Sequence, residues 1–204
     1  MTPIFFPIHL FPSIEYYAYL VRADHYIFEG EDHFQKQTYR NRYSIYGANG
    51  KLNLNIPIIH KTGSRFYKDT PISYDMDWQR NHIKSLKSAY QSSPYFEFYE
   101  DEITPLFTSK EKYLIDFNIK SFILVNDLLQ LDVDIKKTTE YIPNPEQQDL
   151  RNYFHTKKES QQEFDSYIQV FSPEKGFIKN LSILDLLFNE GPNATTYLEN
   201  IKLL

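Results

Sequence analysis

"IFFPIHLFPSIEYYAYLVRADHYIFEG", residues 4–30, is the stretch of sequence that decides the fold. It begins with a short apolar segment bounded by prolines, which predicts a strand. A helix follows, and Ser13 stands at its start, where a hydroxyl can accept a hydrogen bond from a free backbone N–H. "HYIFEG" then predicts a second buried strand. Two strands joined through one helix favour a parallel pair and an α/β fold.

Outward from this unit, the chain predicts a β-hairpin and a mostly helical remainder. "YSIYGANGKLNLNIPI" carries Asn49-Gly50 at its centre, and this dipeptide tolerates the positive φ values of a tight hairpin turn. Helical spacing of apolar residues predicts helices over 76–93, from Pro94 onward, over about 111–131, and on both sides of Gly191-Pro192.

The other segments are less regular. We predict a loop over 58–75, strands over 138–142 and 167–171, a turn with a short helix over 144–154, and a mobile loop over 157–162. The prediction as a whole is one α/β domain over residues 1–204, with a mixed, partly parallel sheet, a β-hairpin, and a helical middle and C-terminus.

Composition excludes several classes of protein. The 204 residues carry a net charge of −5, whereas a general nucleic-acid binder needs an excess of basic residues, so no nucleic-acid partner is expected. The chain has no cysteine, which excludes disulfides, cysteine–zinc sites and a cysteine nucleophile. No segment approaches the roughly 18 apolar residues of a membrane span, and the N-terminus lacks a basic leader, so we expect a cytoplasmic protein.

Familiar signatures for cofactors and metals are missing from the sequence. It contains no dinucleotide, Walker, zinc-protease or nucleophile-elbow motif, so the cofactor is unknown. Two Asp-x-Asp triplets occur, at Asp75/Asp77 and Asp132/Asp134. Both fall where helix caps or turns are expected, and we predict no metal site there.

The polar stretch "GEDHFQKQTYRNRY", residues 30–43, is the main candidate for a binding site. It follows a buried strand and interleaves Lys36, Arg40 and Arg42 with amides and tyrosines. Lysine and arginine recognise phosphate or carboxylate, and aromatic rings can stack on a sugar or base. A structural loop held by salt bridges is the alternative, and the stretch alone does not separate the two.

Further candidate residues have equally ordinary structural explanations. His9 follows the first strand, at the sheet edge where α/β proteins bind ligands, but it can also be a buried histidine bonded to the backbone. Ser182 and Asp185 can be read as catalytic, yet Ser182 is also a good helix N-cap. Asn189-Glu190-Gly191 is typical of a helix stop.

These residues together resemble the WbqC-like protein family. The resemblance rests on Ala23-Asp24, on Glu29 at a strand end, and on three short motifs and two further segments: Phe34-Gln35-Lys36, Asn41-Arg42, Ile56-Pro57-Ile58, "AYQSSPYF" after Trp78, and "LSILDLLFNEGP" near the C-terminus. Many members have Gln-Pro where this chain has Ile8-His9, which bears on the choice of substrate.

The resemblance implies a bacterial protein encoded among surface-polysaccharide or O-antigen genes. It also implies a transferase acting on a sugar nucleotide or on an aminoacyl or acyl donor, with residues 29–42 and 182–189 lining one cleft.

Two hypotheses follow for function. In the first, a transferase binds phosphate or carboxylate through Lys36 and Arg42, with Glu29 or His9 as general base. Its other ligand-binding residues would be Gln35, Tyr39, Asn41, Ser182, Asp185 and Asn189. In the second, the chain is a non-catalytic binding or scaffold protein of a biosynthetic or envelope operon, and exposed aromatic side chains form its interaction surface. The first hypothesis requires a concave site into which Lys36, Arg42 and Glu29 all point.

Overall fold

The computed structural model describes residues 3–59 and 66–204. The parallel unit predicted from residues 4–30 is confirmed. Strand β1 (Ile4–Pro7) pairs in parallel with β2 (Tyr26–Glu29), with Phe6 opposite Phe28. Helix α1 (Ile14–Leu20) connects the two strands, and the Ser13 hydroxyl accepts a hydrogen bond from the Tyr16 N–H at its start.

The predicted hairpin is also confirmed, and it forms a separate two-stranded sheet. Strand β3 (Arg42–Gly47) runs antiparallel to β4 (Gly50–Asn55). Gly47 pairs with Gly50, so the turn is centred on Ala48-Asn49 and not on Asn49-Gly50 as predicted, and of these two predicted turn residues only Gly50 has a positive φ, of 100°. The loop predicted over 58–75 lies partly outside the described residues. Its described part contains a short 3₁₀ helix, Tyr67–Asp69.

Helices make up most of the remaining regular structure. They are α2 (Trp78–Tyr90), α3 (Phe96–Ile103), α4 (Leu114–Leu128), α5 (Ser172–Lys175), α6 (Ile183–Glu190) and α7 (Ala194–Asn200), with 3₁₀ turns at Thr104–Phe107 and Gly191–Asn193. The break between α6 and α7 falls at Gly191, as predicted, where φ is 52°. In the described part of the chain, none of the helices combines the length and apolar character needed to cross a membrane.

The predictions for residues 138–171 were wrong in three places. Neither 138–142 nor 167–171 is a strand, and 144–154 contains turns but no helix. The segments around Lys137 and Asp149 instead form single parallel bridges to Phe28 and Phe5, one on each side of the β1–β2 pair. Leu150, next to the Asp149 bridge, is buried, whereas Tyr141 and Ile142 are exposed, so the apolar residues of 138–142 do not belong to a buried strand.

The core is rich in aromatic residues, and tyrosines contribute both packing and hydrogen bonds. The hydroxyl of Tyr16 donates to the Pro7 carbonyl at 2.8 Å, and that of Tyr67 donates to the Ile8 carbonyl at 3.0 Å. Helix α6 passes through this core and is buried at every position over 183–189. Among the surface cavities around this core, one lies between the hairpin and α2, and another lies between α1 and residues 152–161.

Candidate functional site

A cleft of about 610 Å³ lies between the hairpin and the first turns of α2. We call it the hairpin cleft. One wall comes from the turn before β3 and from the start of β3, and another from the end of β4 and residues 56–58. The first turns of α2 close it. Its lining residues are Phe34, Lys36, Gln37, Asn41, Arg42, Asn53, Leu54, Asn55, Ile56, Pro57, Ile58, Met76, Trp78, Asn81 and His82.

The hairpin cleft is positively charged in a chain whose net charge is negative. Lys36 and Arg42 line it, and no Asp or Glu is among its lining residues. Neither cation forms an ion pair with any carboxylate in residues 3–59 or 66–204. The N-terminus of the thirteen-residue helix α2 borders the same space and adds a partial positive charge. This arrangement suits an anionic ligand.

Three buried polar atoms of the lining residues have no hydrogen-bond partner in the part of the chain that the structure describes. They are Asn41 Oδ1, Arg42 Nε and Trp78 Nε1. Trp78 is only 4% exposed, so water does not readily satisfy its N–H. Buried polar groups in folded proteins almost always have partners, because leaving one unpaired costs about 1–3 kcal/mol. Three of the unpartnered buried atoms of the described chain thus belong to residues that line this one cleft, which makes it the candidate binding site.

His82 holds the two sides of the cleft together. Its Nε2 lies 3.1 Å from the Asn55 carbonyl oxygen, which can only accept, so Nε2 carries the proton. Nδ1 then accepts from the Tyr43 hydroxyl at 3.3 Å. Burial lowers the pKa of His82 from its ordinary value of 6.5 to about 4, so the imidazole is neutral near pH 7. Both nitrogens are occupied, which suits a structural clamp better than a proton carrier.

Amide side chains supply most of the remaining polar lining, and the sequence reasoning missed them. Asn53 and Asn55 lie two apart on β4, and Asn81 lies on α2. In the sequence they looked like the solvent-facing positions of an ordinary hairpin. A usable signal was present, because asparagine is disfavoured in strands and two in one short strand require a reason. Trp78 was noted only as a core residue.

Arg40, from the same polar stretch, has a structural role. It is 1% exposed and forms an ion pair with Asp32 in the interior. The Arg40 carbonyl accepts from the Asn118 amide on α4 at 2.6 Å. The two interpretations of residues 30–43 therefore apply to different residues: Arg40 belongs to a salt-bridged loop, whereas Lys36, Asn41 and Arg42 line a cleft.

His9, predicted as a possible base, lies in the core and does not line the hairpin cleft. It is 2% exposed, and the rings of Tyr16, Tyr39 and Phe154 surround it at centroid distances of 5.7 to 6.2 Å. Burial, and secondarily the charge of Arg40, holds the pKa of His9 well below its ordinary value. Its Nδ1 has no partner among the described residues.

Glu29, the other predicted base, is fully buried and also lies away from the hairpin cleft. Its Oε2 accepts from Arg151 Nη1 at 2.8 Å, and its Oε1 accepts from the Thr138 hydroxyl at 2.6 Å and from the Glu31 N–H at 2.8 Å. Arg151 in turn pairs with Asp149. This network joins the end of β2 to the segments that flank the sheet. Glu29 therefore does not share the cleft of Lys36 and Arg42, so the single concave site expected for the transferase hypothesis is not found in that form. A catalytic role for Glu29 or His9 stays a prediction.

The C-terminal candidates are grouped on helix α6, and none of them lines the hairpin cleft. The Ser182 hydroxyl caps α6 by accepting from the Leu184 N–H, and it donates to the Phe11 carbonyl at 3.0 Å. Asn189 donates to the Asp185 carbonyl at 2.7 Å. The structure therefore does not bring residues 182–189 into the same cleft as Lys36 and Arg42.

Asp185 is the centre of a buried hydrogen-bond network. Its Oδ1 accepts from the Tyr90 hydroxyl at 2.7 Å, and its Oδ2 accepts from Tyr167 at 2.5 Å and from Gln169 at 2.8 Å. Burial raises the pKa of this carboxyl. Three donors from two other parts of the chain meet on one side chain, an arrangement that anchors α2 and residues 167–169 to α6.

Gln35 and Tyr39 complete the predicted set. Gln35 is exposed and donates to Asn152 Oδ1 at 3.0 Å. Tyr39 is 6% exposed, packs against His9, and burial raises its pKa to about 12. Neither residue lines the hairpin cleft. Within the described chain, no group of three or more His, Asp or Glu side chains is arranged to hold a metal ion.

Comparison with known proteins gives one match. Residues 8–164 match the model of the WbqC-like protein family, so the chain belongs to this family, and the resemblance noted in the sequence is confirmed. The matched range contains every lining residue of the hairpin cleft, but it ends before α6. Searches of curated proteins and of solved structures found no match.

Proposed function

We propose that this member of the WbqC-like family binds a small phosphate- or carboxylate-bearing molecule in the hairpin cleft. Lys36 and Arg42 provide the positive charge, and Asn41, Asn53 and Asn55 provide hydrogen bonds to the rest of the ligand. One observation carries the proposal: two cations without carboxylate partners share a cleft with three unpartnered buried polar atoms, counted over the described residues.

The chemistry of the cleft favours a polar ligand with hydroxyl groups. Amide side chains both donate and accept hydrogen bonds, as sugar hydroxyls do, and an arginine can bind two oxygens of one phosphate. A cleft of about 610 Å³ accommodates a molecule the size of a sugar phosphate or a sugar nucleotide. We therefore propose a transferase role in the assembly of a bacterial surface polysaccharide, with this molecule as donor or acceptor.

A binding protein without catalysis is the second candidate, and a specific observation favours it. The described lining of the cleft has no carboxylate, and both nitrogens of His82 are engaged by Asn55 and Tyr43. A transfer reaction at this site would need a group to accept a proton. If this cleft does catalyse a transfer, the proton acceptor would have to come either from the second substrate or from residues that do not line the cleft.

The test is a thermal-shift and calorimetric titration with inorganic phosphate, glucose 1-phosphate, UDP-glucose and uncharged glucose. A ligand at about 100 times its Kd stabilises the folded state by roughly 2.7 kcal/mol, which corresponds to about 5–10 °C at this chain length. We expect a shift with at least one phosphorylated probe and none with glucose.

Matched variants place the binding site. Arg42→Gln and Lys36→Ala should weaken binding at least about tenfold. Arg80→Gln and Lys84→Ala remove the same charges from exposed positions of α2 that do not line the cleft, and they should leave binding unchanged. If neither a phosphorylated probe nor a carboxylate-bearing sugar such as glucuronate binds, or if the bound probe binds Arg42→Gln as well as wild type, the proposal fails. Binding without product formation in the presence of candidate acceptors would favour the non-catalytic alternative.

A further inference from the structure

A second cavity, of about 500 Å³, lies beside helix α1. We call it the Glu15 cavity. Its lining residues are Glu15, Asn152, Tyr153, His155, Lys158, Glu159, Ser160 and Gln161. Most of the wall thus comes from residues 152–161, which include part of the segment predicted to be a mobile loop.

Glu15 differs from the other lining residues because its carboxylate is buried. The residue is 6% exposed, while most of the remaining wall is exposed to solvent. No Lys, Arg or His in the described residues lies within 4 Å of the Glu15 carboxylate oxygens. A buried carboxylate without a counter-ion is costly, because desolvation penalises the charged form. Burial accordingly raises the pKa of Glu15.

The position of the Glu15 side chain is well defined. Asn180 Nδ2 donates to Glu15 Oε2 at 3.0 Å, and the Glu15 N–H donates back to Asn180 Oδ1 at 2.9 Å. This reciprocal pair fixes one carboxylate oxygen against the segment that precedes α6. Within the described residues, the hydrogen bond from Asn180 is made to Oε2, and Oε1 is not among the fully buried atoms that lack a partner.

The rest of the wall is polar and contains one aromatic ring. Tyr153 is 40% exposed, and its hydroxyl is held at 3.1 Å from that of Tyr19 and at 3.0 Å from Gln162 Nε2. A fixed aromatic ring beside a cavity is a favourable neighbour for a cation. Among the charged residues that line the cavity, Glu15 and Glu159 outnumber Lys158.

We propose that the Glu15 cavity binds a small polar molecule carrying a primary ammonium group, with the Glu15 carboxylate as its counter-ion. Lys179 lies near Glu15 but forms no ion pair with it within the described residues, so an ammonium group can take the place of a direct counter-ion, and its three N–H donors suit carboxylate and hydroxyl acceptors. Asn152, Ser160 and Gln161 are available to bind hydroxyl groups of the same ligand. An amino sugar and a free alkanolamine share this chemistry.

Two hydrogen bonds connect the segment that lines the Glu15 cavity to the segment that lines the hairpin cleft. Gln35 donates to Asn152 at 3.0 Å, and the Thr156 hydroxyl donates to the Gln37 carbonyl at 2.6 Å. Asn152 lines the Glu15 cavity and Gln37 lines the hairpin cleft. The contact between segments 35–37 and 152–156 therefore lies between two proposed sites. The hairpin cleft would bind a negatively charged group, and the Glu15 cavity would bind a positively charged one. The proposal stands independently of any ligand in the hairpin cleft.

The test uses pairs of probes that differ by one group. Glucosamine is compared with glucose, and ethanolamine with ethylene glycol, by isothermal titration calorimetry at about pH 6.5, below the pKa of ordinary amines. We expect wild type to bind at least one amine about tenfold or more tightly than its hydroxyl counterpart. A preference for glucosamine alone identifies an amino sugar, and a preference for both amines identifies the ammonium group itself. Equal binding within both pairs would overturn the proposal.

Three variants then locate the site. Glu15→Gln keeps an oxygen that can accept from Asn180 but removes the charge, and it should abolish the preference for amines. Glu163→Gln removes an exposed carboxylate that does not line the cavity, and Arg42→Gln removes a charge of the hairpin cleft; both should retain the preference. A preference that survives in Glu15→Gln would overturn the proposal. If Glu15→Gln does not fold, Ser160→Arg provides the second variant, because it introduces a cation into the wall, and amine binding that persists in it would likewise overturn the proposal.

Discussion

Arg40 and Arg42 are separated by a single residue, yet only Arg40 has a carboxylate partner among the described residues. Arg40 is buried and paired with Asp32, whereas Arg42 lines the hairpin cleft with its Nε unpartnered. The difference arises because Arg40 still belongs to the turn that packs on α4, while Arg42 is the first residue of β3. One arginine therefore stabilises the loop, and the other is available for a ligand.

Removing the charge partner of Arg40 should strongly destabilise the protein. Asp32→Ala leaves a buried guanidinium without its counter-ion, and we expect the free energy of unfolding to fall by about 3–5 kcal/mol. Urea denaturation provides the measurement. Glu31→Gln is the control, because the Glu31–Lys68 pair is partly exposed and is expected to contribute about 0–1 kcal/mol. Equal losses in the two variants would show that the burial of the Asp32–Arg40 pair does not matter.

Replacing Arg42 should have the opposite effect on stability. Arg42→Met removes a buried N–H that has no partner in the described chain and retains an apolar chain of similar length. We expect the ligand-free protein to be unchanged or stabilised by up to about 1 kcal/mol, since an unpaired buried donor is a cost. The measurement is again urea denaturation, without phosphate in the buffer. A loss of more than about 1 kcal/mol would mean that Arg42 supports the fold and is not held ready for a ligand.

His82 should make the stability of the protein fall in weak acid. Because its pKa is lowered from 6.5 to about 4 in the folded state, the unfolded chain binds the proton first as the pH drops. Its contribution is fully present above about pH 6.5 and is lost as the pH approaches 4, a change of about 3 kcal/mol. His82→Gln should lack this part of the pH dependence.

The measurement for His82 is the free energy of unfolding at several pH values between about 4 and 7.5, compared between wild type and His82→Gln. Other titrating groups cancel in the difference between the two proteins. Tyr43→Phe separates the causes, because it removes the bond to Nδ1 and keeps His82 buried. Since burial is the main cause of the lowered pKa, Tyr43→Phe should keep most of the pH dependence, and its complete loss there would contradict this explanation.

The Asp185 network should prove structural. Tyr167→Phe removes one of three donors to a fully buried carboxylate, and we expect a loss of about 1–3 kcal/mol in stability. Tyr141→Phe, at an exposed tyrosine, should change stability by less than about 0.5 kcal/mol. Any phosphorylated ligand found for the hairpin cleft should bind Tyr167→Phe as tightly as wild type. Weakened binding with unchanged stability would instead restore Asp185 and its neighbours as part of a functional site.

Local sequence patterns correctly predicted those parts of the fold that are determined by residues close together in the sequence. The strand–helix–strand unit of residues 4–30, the Ser13 cap and the β-hairpin are all confirmed, although the hairpin turn is centred one residue earlier than predicted, on Ala48-Asn49. The strands predicted over 138–142 and 167–171 do not form. Tyr141, Ile142 and Ile168 are exposed, and the Gln169 side chain donates to Asp185 and to the Ile178 carbonyl. A short apolar pattern does not show whether a segment pairs along its length or touches a sheet at one residue.

The candidate site likewise depends partly on local sequence pattern and partly on tertiary structure. The sequence by itself identified Lys36, Asn41 and Arg42, because cations and amides after a buried strand are typical of a binding loop, and its motifs identified the family. Only the tertiary structure decided which charges were neutralised within the protein. Arg40 pairs with Asp32 and Glu29 pairs with Arg151 in the interior, whereas Arg42 and Trp78 both line an open cleft. Charge pairing depends on distances of a few ångströms between distant residues, and those distances exist only once the core has packed.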